Sequence, residues 1–220
     1  MRFVKTFAVA ALLAPCVLLT ACLKEPPSST ATSVASHAAG KQNDTVSPQQ
    51  IAAYRKAAEQ GDATAQYNLG VAYENGKGVA QDDKQAISWF HKAAEQGLAQ
   101  AQDTLGQIYY GAQGVAQNDV QAVFWYRKAA EQGFVEAQFH LGMMYYFGGQ
   151  GVVENPAQAV FWLRKAAEQG YAQAQNNLGM MYYMGQDAPQ DTKQAVFWLR
   201  KAAAQGDSNA QGALDSMQNH

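Results

Sequence analysis

Cysteine and histidine, which often serve as nucleophiles and zinc ligands, are few in this 220-residue sequence. Both cysteines, Cys16 and Cys22, lie within the first 22 residues, so the sequence excludes a cysteine nucleophile, a Cys-ligated zinc site and a disulfide from the rest of the chain. The histidines show no spacing of paired zinc ligands: they are His37, His91, His140 and His220. A Gly-x-x-x-x-Gly-Lys-Ser/Thr loop and a Ser-x-x-Lys pair are also absent. We therefore predict no catalytic residues, no metal and no cofactor.

Composition narrows the class of partner. The chain has 16 basic and 18 acidic residues, a net charge of −2 and a pI of about 6.1, which argue against a protein that coats nucleic acid. Hydrophobic residues make up 48% of the chain, enough to bury a core.

The N-terminus has the features of an export signal. Arg2 and Lys5 precede an apolar run at 7–19, which is too short to span a bilayer comfortably but has the length of a signal-peptide core. The following Leu19-Thr20-Ala21-Cys22 resembles the lipobox of bacterial lipoproteins. That resemblance implies a removed signal peptide at 1–21, acyl chains on Cys22 and attachment to the cell envelope. In bacterial lipoproteins, Asp directly after the lipidated cysteine often marks retention in the inner membrane. This sequence has Leu23 at that position, which suggests sorting to the outer membrane. The alternative is an ordinary secretory signal with a chance cysteine.

Residues 22–48 are rich in Ser, Thr, Ala and Pro and have no periodic apolar face. Such a segment cannot bury enough surface to offset its ordering entropy, so we predict a flexible linker. As a coil it would extend about 25–30 Å between the lipid anchor and the folded part.

The rest of the chain is an internal repeat. Its landmarks recur every 36 or 37 residues: tryptophan at 89, 125, 162 and 198, Leu-Gly at 69, 105, 141 and 178, and Lys-Ala-Ala at 56, 92, 128, 165 and 201. A period of this size indicates stacked supersecondary units. In the first unit Ala65, Leu69 and Tyr73 share one helical face, which predicts a first helix at about 63–74.

A second helix is predicted at about 83–96 in the same unit. The predicted N-caps of the second helices are Asp82, Asn118, Asn155 and Asp191. The glycine of each Leu-Gly pair would let the facing helix approach closely, with the tryptophans in the core. A lone second helix at about 49–60 begins the array, and a lone first helix at about 209–217 ends it.

The motifs resemble the Sel1-like repeat, a relative of the tetratricopeptide repeat. They are Leu69-Gly70-x-x-Tyr73, Gly76-x-Gly78-Val79, Ala86-x-x-Trp89 and Lys92-Ala93-Ala94-x-Gln96-Gly97, with their later copies. The resemblance implies an all-α solenoid of stacked antiparallel helix pairs in a right-handed superhelix. It would cover 49–218, with half units at 49–62 and 208–218 and full units at 63–98, 99–134, 135–171 and 172–207. It also implies a concave groove that binds a protein or peptide, and no catalysis.

By similarity to tetratricopeptide units, four positions of each first helix would line that groove. The predicted partner-binding residues, called the groove stripe below, are Tyr67, Asp103, Gln107, Tyr110, Phe139, Met143, Tyr146, Asn176, Met180 and Tyr183. The alternative is that the tyrosines and methionines pack against the neighbouring helix pair. Asp103 and Glu136 could form an acid/base pair, although recognition is the better interpretation of two carboxylates on a binding face.

The second helices also carry a basic ladder that includes Lys92, Lys128 and Lys165. Glutamates three residues later predict salt bridges along a solvated face rather than a basic binding strip.

Two hypotheses of function remain. The first is a lipid-anchored envelope scaffold that faces the periplasm, binds a protein or peptide, and touches the membrane through its anchor alone. The second is a binder or hydrolase of cell-wall fragments, including the penicillin-related activity of a cysteine-rich branch of the repeat family. The repeats of that branch are joined by disulfides that this chain cannot form.

Overall fold

The computed structural model describes residues 46–185 and 188–218. This part of the chain forms ten α-helices: α1 Pro48–Glu59, α2 Ala63–Asn75, α3 Asp83–Glu95, α4 Ala99–Gly111, α5 Asp119–Glu131, α6 Val135–Phe147, α7 Pro156–Glu168, α8 Ala172–Met184, α9 Thr192–Ala203 and α10 Ser208–Gln218. It contains no strand, only an isolated bridge between Gly149 and Val152. The predicted signal peptide, Cys22 and nearly all of the predicted linker lie outside the described residues.

The helices form the predicted pairs. α2 packs on α3, α4 on α5, α6 on α7 and α8 on α9, and each pair packs on the next through its second helix. α1 packs on α2 as a lone second helix, and α10 packs on α9 as a lone first helix. The predicted all-α solenoid of stacked helix pairs is confirmed.

The second helices begin where the sequence predicted. The side chains of Asp82, Asn118, Asn155 and Asp191 each accept a hydrogen bond from the backbone N–H three residues later. α1 begins one residue earlier than predicted because Ser47 caps it, with Pro48 in the first turn. The side chains of Ser47 and Gln50 bond each other's backbone N–H, which completes a capping box.

The helices of each pair meet closely at a glycine. A Cβ on Gly70 would lie 2.7 Å from the Phe90 ring, and a Cβ on Gly142 would lie 2.8 Å from Leu163 Cγ. Both opposing side chains are almost completely buried. The predicted close approach is confirmed, and the glycine is required because any side chain would push the two helices apart.

The tryptophans differ in burial. Trp125, Trp162 and Trp198 are buried as predicted, with exposed fractions of 7%, 8% and 6%. Trp89, in the first unit, is only half-buried. The core therefore depends more on the later three rings than on the first.

Candidate functional site

A buried glutamine ladder orients the first helices, which carry the groove stripe. Gln102 of α4 donates to the carbonyl of Ala94 (3.0 Å) and accepts from Gln132 (2.7 Å), so it joins the second helices on both sides. The same pair of bonds recurs at Gln66, Gln138 and Gln175. These bonds fix the rotation of each first helix about its axis. The sequence analysis missed this role, although glutamine recurs three residues before every Leu-Gly pair.

The polar part of the groove stripe is held by internal bonds. Asp103 is only 4% exposed. One of its carboxylate oxygens accepts from Gln107 Nε2 (2.7 Å), and the other lies 2.9 Å from His140 Nδ1 on α6. Asp103 therefore joins two neighbouring units, while Gln107 and His140 stay partly accessible. Within residues 46–185 and 188–218, no hydrogen bond or ion pair joins Asp103 to Glu136, its expected acid/base partner; Asp103 contacts His140 instead.

The apolar part of the groove stripe lies on α6 and α8. Phe139, Met143, Tyr146 and Tyr183 are half-buried and pack against one hydrophobic cluster, whose buried residues come mainly from α7, α8 and α9. The Phe139 ring also contacts Tyr171, with ring centroids 5.1 Å apart. These four side chains combine support from the core with an exposed edge, so packing and binding are compatible at these positions.

Two predicted members of the stripe are less accessible. Met180 is 6% exposed and Asn176 is 9% exposed. The Asn176 Oδ1 atom is buried without a hydrogen-bond partner among the described residues. Met143 instead interacts with Asn177, whose Nδ2 lies 3.2 Å from its sulfur atom. Met180 and Asn176 therefore form the support beneath the accessible side chains.

Two tyrosines complete the stripe in the earlier units. Tyr67 packs against Phe90, with ring centroids 5.6 Å apart, and Tyr110 packs against a cluster shared by its own unit and the next. Burial raises the pKa of both hydroxyls above 10.0. They stay protonated at neutral pH, so they can donate hydrogen bonds to a partner but are poorly suited to act as bases.

The expected Lys–Glu salt bridges on the second helices do not form. Within the described part of the chain, the His140–Asp103 contact alone meets the distance of an ion pair. The lysines lie over aromatic rings of their own helix: Lys92 is 3.9 Å from the centroid of Trp89, and Lys128 is 5.1 Å from that of Phe124. A lysine that precedes glutamate has the less favourable orientation for a helical ion pair, whereas an adjacent ring face attracts the ammonium group.

The second helices expose an aromatic column that the sequence analysis did not single out. Phe124, Phe161 and Phe197 are 47%, 47% and 48% exposed. Each follows an aliphatic residue and directly precedes a buried tryptophan. Because successive residues of a helix point in different directions, helical periodicity could have predicted that the phenylalanine faces solvent where the tryptophan faces the core.

No described residues form a group of three or more potential metal ligands. Within residues 46–185 and 188–218, no helix combines the length and the apolar character needed to cross a bilayer.

The family follows from the repeats themselves. The Sel1 repeat model matches residues 54–62, 63–98, 99–134, 135–171 and 172–207, which is most of the chain. This chain belongs to the Sel1 repeat family. Sel1 repeats generally serve as non-catalytic scaffolds for protein–protein interactions.

Two solved Sel1 relatives have the same fold. A protective antigen present in uropathogenic Escherichia coli strains is 42% identical, with a TM-score of 0.69, and the match covers 74% of this chain and 35% of that one. A Sel1 repeat protein from Oxalobacter formigenes is 36% identical, with a TM-score of 0.71 over 80% of this chain and 50% of that one. This Sel1 chain thus spans half or less of the length of either relative. A search of curated proteins found no significant match.

Proposed function

We propose that this Sel1 repeat protein is a lipid-anchored scaffold of the bacterial envelope that binds a protein or peptide along its first helices. One observation carries the proposal: α6 and α8 present the partly accessible Tyr146 and Tyr183 at equivalent positions of adjacent units, with Phe139 and Met143 partly accessible beside them on α6. Such a repeating surface suits an extended segment or a helix, which contacts successive units at a regular interval.

The chemistry of this surface suits recognition. Met143 is an adaptable apolar contact. Tyr146 and Tyr183 combine an apolar ring with a hydroxyl, which is typical of residues that anchor a partner. The accessible edges of Gln107 and His140 supply polar groups beside these rings. The proposed partner therefore presents apolar side chains next to backbone or side-chain hydrogen-bonding groups.

The proposed location rests on the first 23 residues. The apolar run and the lipobox-like Leu19-Thr20-Ala21-Cys22 favour export and acylation of Cys22. Leu23 favours the outer membrane, with the repeats facing the periplasm. More than one acyl chain is needed for stable anchoring, and lipoproteins of this type usually carry three.

Crosslinking in intact envelopes followed by affinity capture tests the scaffold function. The Tyr146→Ala/Tyr183→Ala variant should lose a protein that the parent chain captures, while its helix content stays unchanged. The matched control, Phe124→Ala/Phe161→Ala, removes two exposed aromatic rings from the second helices and should retain the partner. Equal capture by the tyrosine variant would place recognition away from the groove stripe.

Two further experiments test the cell-wall alternative and the lipid anchor. Capture of purified cell-wall fragments without any protein would replace the scaffold by a cell-wall binder. A Cys22→Ser variant should leave the membrane fraction, because it cannot carry the acyl chains. Its retention in that fraction would contradict the lipid anchor without affecting the groove experiment.

A further inference from the structure

The charges of the repeats are divided between the two kinds of helix. The first helices α2, α4, α6, α8 and α10 contain no lysine and no arginine. Every lysine and arginine among the described residues lies on a second helix, except Lys77, which follows α2. The acidic residues of the first helices are Glu74, Asp103, Glu136 and Asp215, and the first three are buried or half-buried. The side of the array that carries the groove stripe is therefore negatively charged.

The carboxylate of Asp103 lies near tyrosines on both sides of it in the stack. Tyr171 directly precedes α8; burial raises the pKa of its hydroxyl most, and the negative charges of Glu136 and Asp103 raise it further. Burial also raises the pKa of Tyr67 on α2, and Glu74 and Asp103 add to that effect. Carboxylates and tyrosines of successive units thus share one region of the groove.

Two of these carboxylates lack a cationic partner. Glu136 is half-buried, yet no hydrogen bond or ion pair joins its side chain to another described residue. The same holds for Glu74, whose pKa is raised by burial and then by the charge of Asp83. The imidazole of His140 already contacts Asp103. Because a partly buried carboxylate is costly without a cation or a donor, the groove favours a partner that supplies positive charge.

A second, independent feature of the groove stripe also requires a hydrogen-bond donor. Asn176 occupies on α8 the position that Asp103 occupies on α4 and Phe139 on α6. It is 9% exposed, and its Oδ1 atom has no donor among the described residues, which is costly for a buried acceptor. Its Nδ2 atom bonds no described residue either, so the amide is free to turn its oxygen towards a donor in the groove. Acceptor side chains therefore occupy this position in the units on either side of Phe139.

Aromatic rings lie beside the unpaired glutamate. Phe139 and Tyr171 are half-buried, with ring centroids 5.1 Å apart, and the charge of Glu136 acts on the Tyr171 hydroxyl. A ring face attracts a guanidinium or ammonium group, and the aliphatic stem of such a side chain packs on apolar surface. Arginine suits this combination best, because its planar group stacks on rings and binds a carboxylate through two N–H groups. We call Phe139, Tyr171 and Glu136 together the Glu136 site.

We propose that the groove stripe binds a basic segment of a protein partner, with an arginine side chain at the Glu136 site. The guanidinium lies against the rings of Phe139 and Tyr171 and donates hydrogen bonds to Glu136. Another donor of the same segment bonds the amide of Asn176. The lack of lysine and arginine on the first helices favours the approach of a basic segment and disfavours an acidic one. This inference rests on the proposed scaffold function, because it names the kind of partner that the groove stripe accepts.

A synthetic peptide tests this chemistry directly. The probe is a short peptide of repeated Arg-Leu-Gly, and the two control peptides carry glutamine or glutamate in place of arginine. Titration of the full chain with the arginine peptide should produce saturable amide chemical-shift changes on α6 and at the start of α8. The glutamine peptide should bind about tenfold more weakly or less, because it can donate hydrogen bonds but carries no charge. The glutamate peptide should not bind, and added salt should weaken the binding of the arginine peptide.

Substitutions make the test specific to the Glu136 site. Glu136→Gln should weaken binding of the arginine peptide about three- to tenfold, because it removes the charge of a half-buried carboxylate. Glu131→Gln is the matched control: this glutamate is exposed at the end of α5, so its removal should leave peptide binding unchanged. Tyr171→Leu should also weaken binding, because it removes the ring face. Leucine is the natural residue at the same position before α4, Leu98, so both variants should keep the helix content of the parent in circular dichroism.

Three results would overturn the inference. The first is equal binding of the arginine and glutamine peptides, and the second is equal affinity of Glu136→Gln and the parent chain for the arginine peptide. The third is a set of shifts that maps to the second helices instead of α6 and α8.

Capture from intact envelopes separates this inference from the scaffold function. If Glu136→Gln and Tyr146→Ala/Tyr183→Ala both lose the captured protein, both proposals are supported. If Glu136→Gln retains the protein that the tyrosine variant loses, the groove stripe is still the docking site, but a basic segment is not what it holds. If neither variant loses the protein, recognition lies elsewhere and both proposals fall.

Discussion

The close approach of α4 and α5 makes Gly106 a sensitive position. A Cβ there would lie 2.5 Å from both Cδ1 and Cε1 of Tyr126, whereas carbon atoms in contact are about 3.5–4.0 Å apart. The ring or the helices would therefore have to move by about 1 Å. Tyr126 is only 3% exposed, so its ring cannot turn towards solvent.

The expected magnitude follows from two opposing effects of Gly106→Ala. Overpacking of a core costs about 1–3 kcal/mol. Alanine in place of glycine in a helix interior stabilises the folded state by about 1 kcal/mol. We expect a net decrease in the free energy of unfolding of up to about 2 kcal/mol.

The control isolates the contact from helix propensity. Gly212 lies within α10, and a Cβ there would meet no atom within 4 Å. Gly212→Ala should therefore stabilise the protein by about 1 kcal/mol. Urea unfolding followed by circular dichroism should separate the two variants by about 1–3 kcal/mol. If Gly106→Ala is as stable as Gly212→Ala, the side chain of Tyr126 does not limit the approach of the helices.

Two further predictions concern the burial of the tryptophans and the titration of His91. Trp162→Ala should lower the free energy of unfolding by about 3–5 kcal/mol, and Trp89→Ala by clearly less, because Trp89 is half-buried. Equal losses in thermal or urea unfolding would contradict this ranking. Burial lowers the pKa of His91 below 6.5, so the unfolded chain takes up the proton first as the pH falls. Stability should therefore decrease as the pH falls from about 6.5 towards the pKa of the folded state, and His91→Gln should lose this part of the pH dependence. Identical pH profiles of unfolding for the two proteins would refute the assignment to His91.

The sequence alone determined the repeat and its helices. Apolar spacing and capping residues act within one or two helical turns, so Asp82 or Asn118 could be recognised as an N-cap without knowledge of the fold. The role of Gly142 was also predictable, because a glycine repeated within an apolar helix face indicates close packing. The motifs also identified the Sel1 family, because they recur in every unit.

Only the tertiary structure decided how accessible each candidate residue is. Position along a helix placed Asp103, Met143 and Met180 on one stripe, but the neighbouring units bury Asp103 and Met180 and leave Met143 half-exposed. The partner of Asp103 is His140, 37 residues away, and no local pattern predicts that pair.

The tryptophans occupy equivalent positions in their units, yet Trp89 is half-buried and Trp162 is buried. In a stack of repeats, helical periodicity determines which face a residue is on, but the adjacent unit determines whether that face is covered.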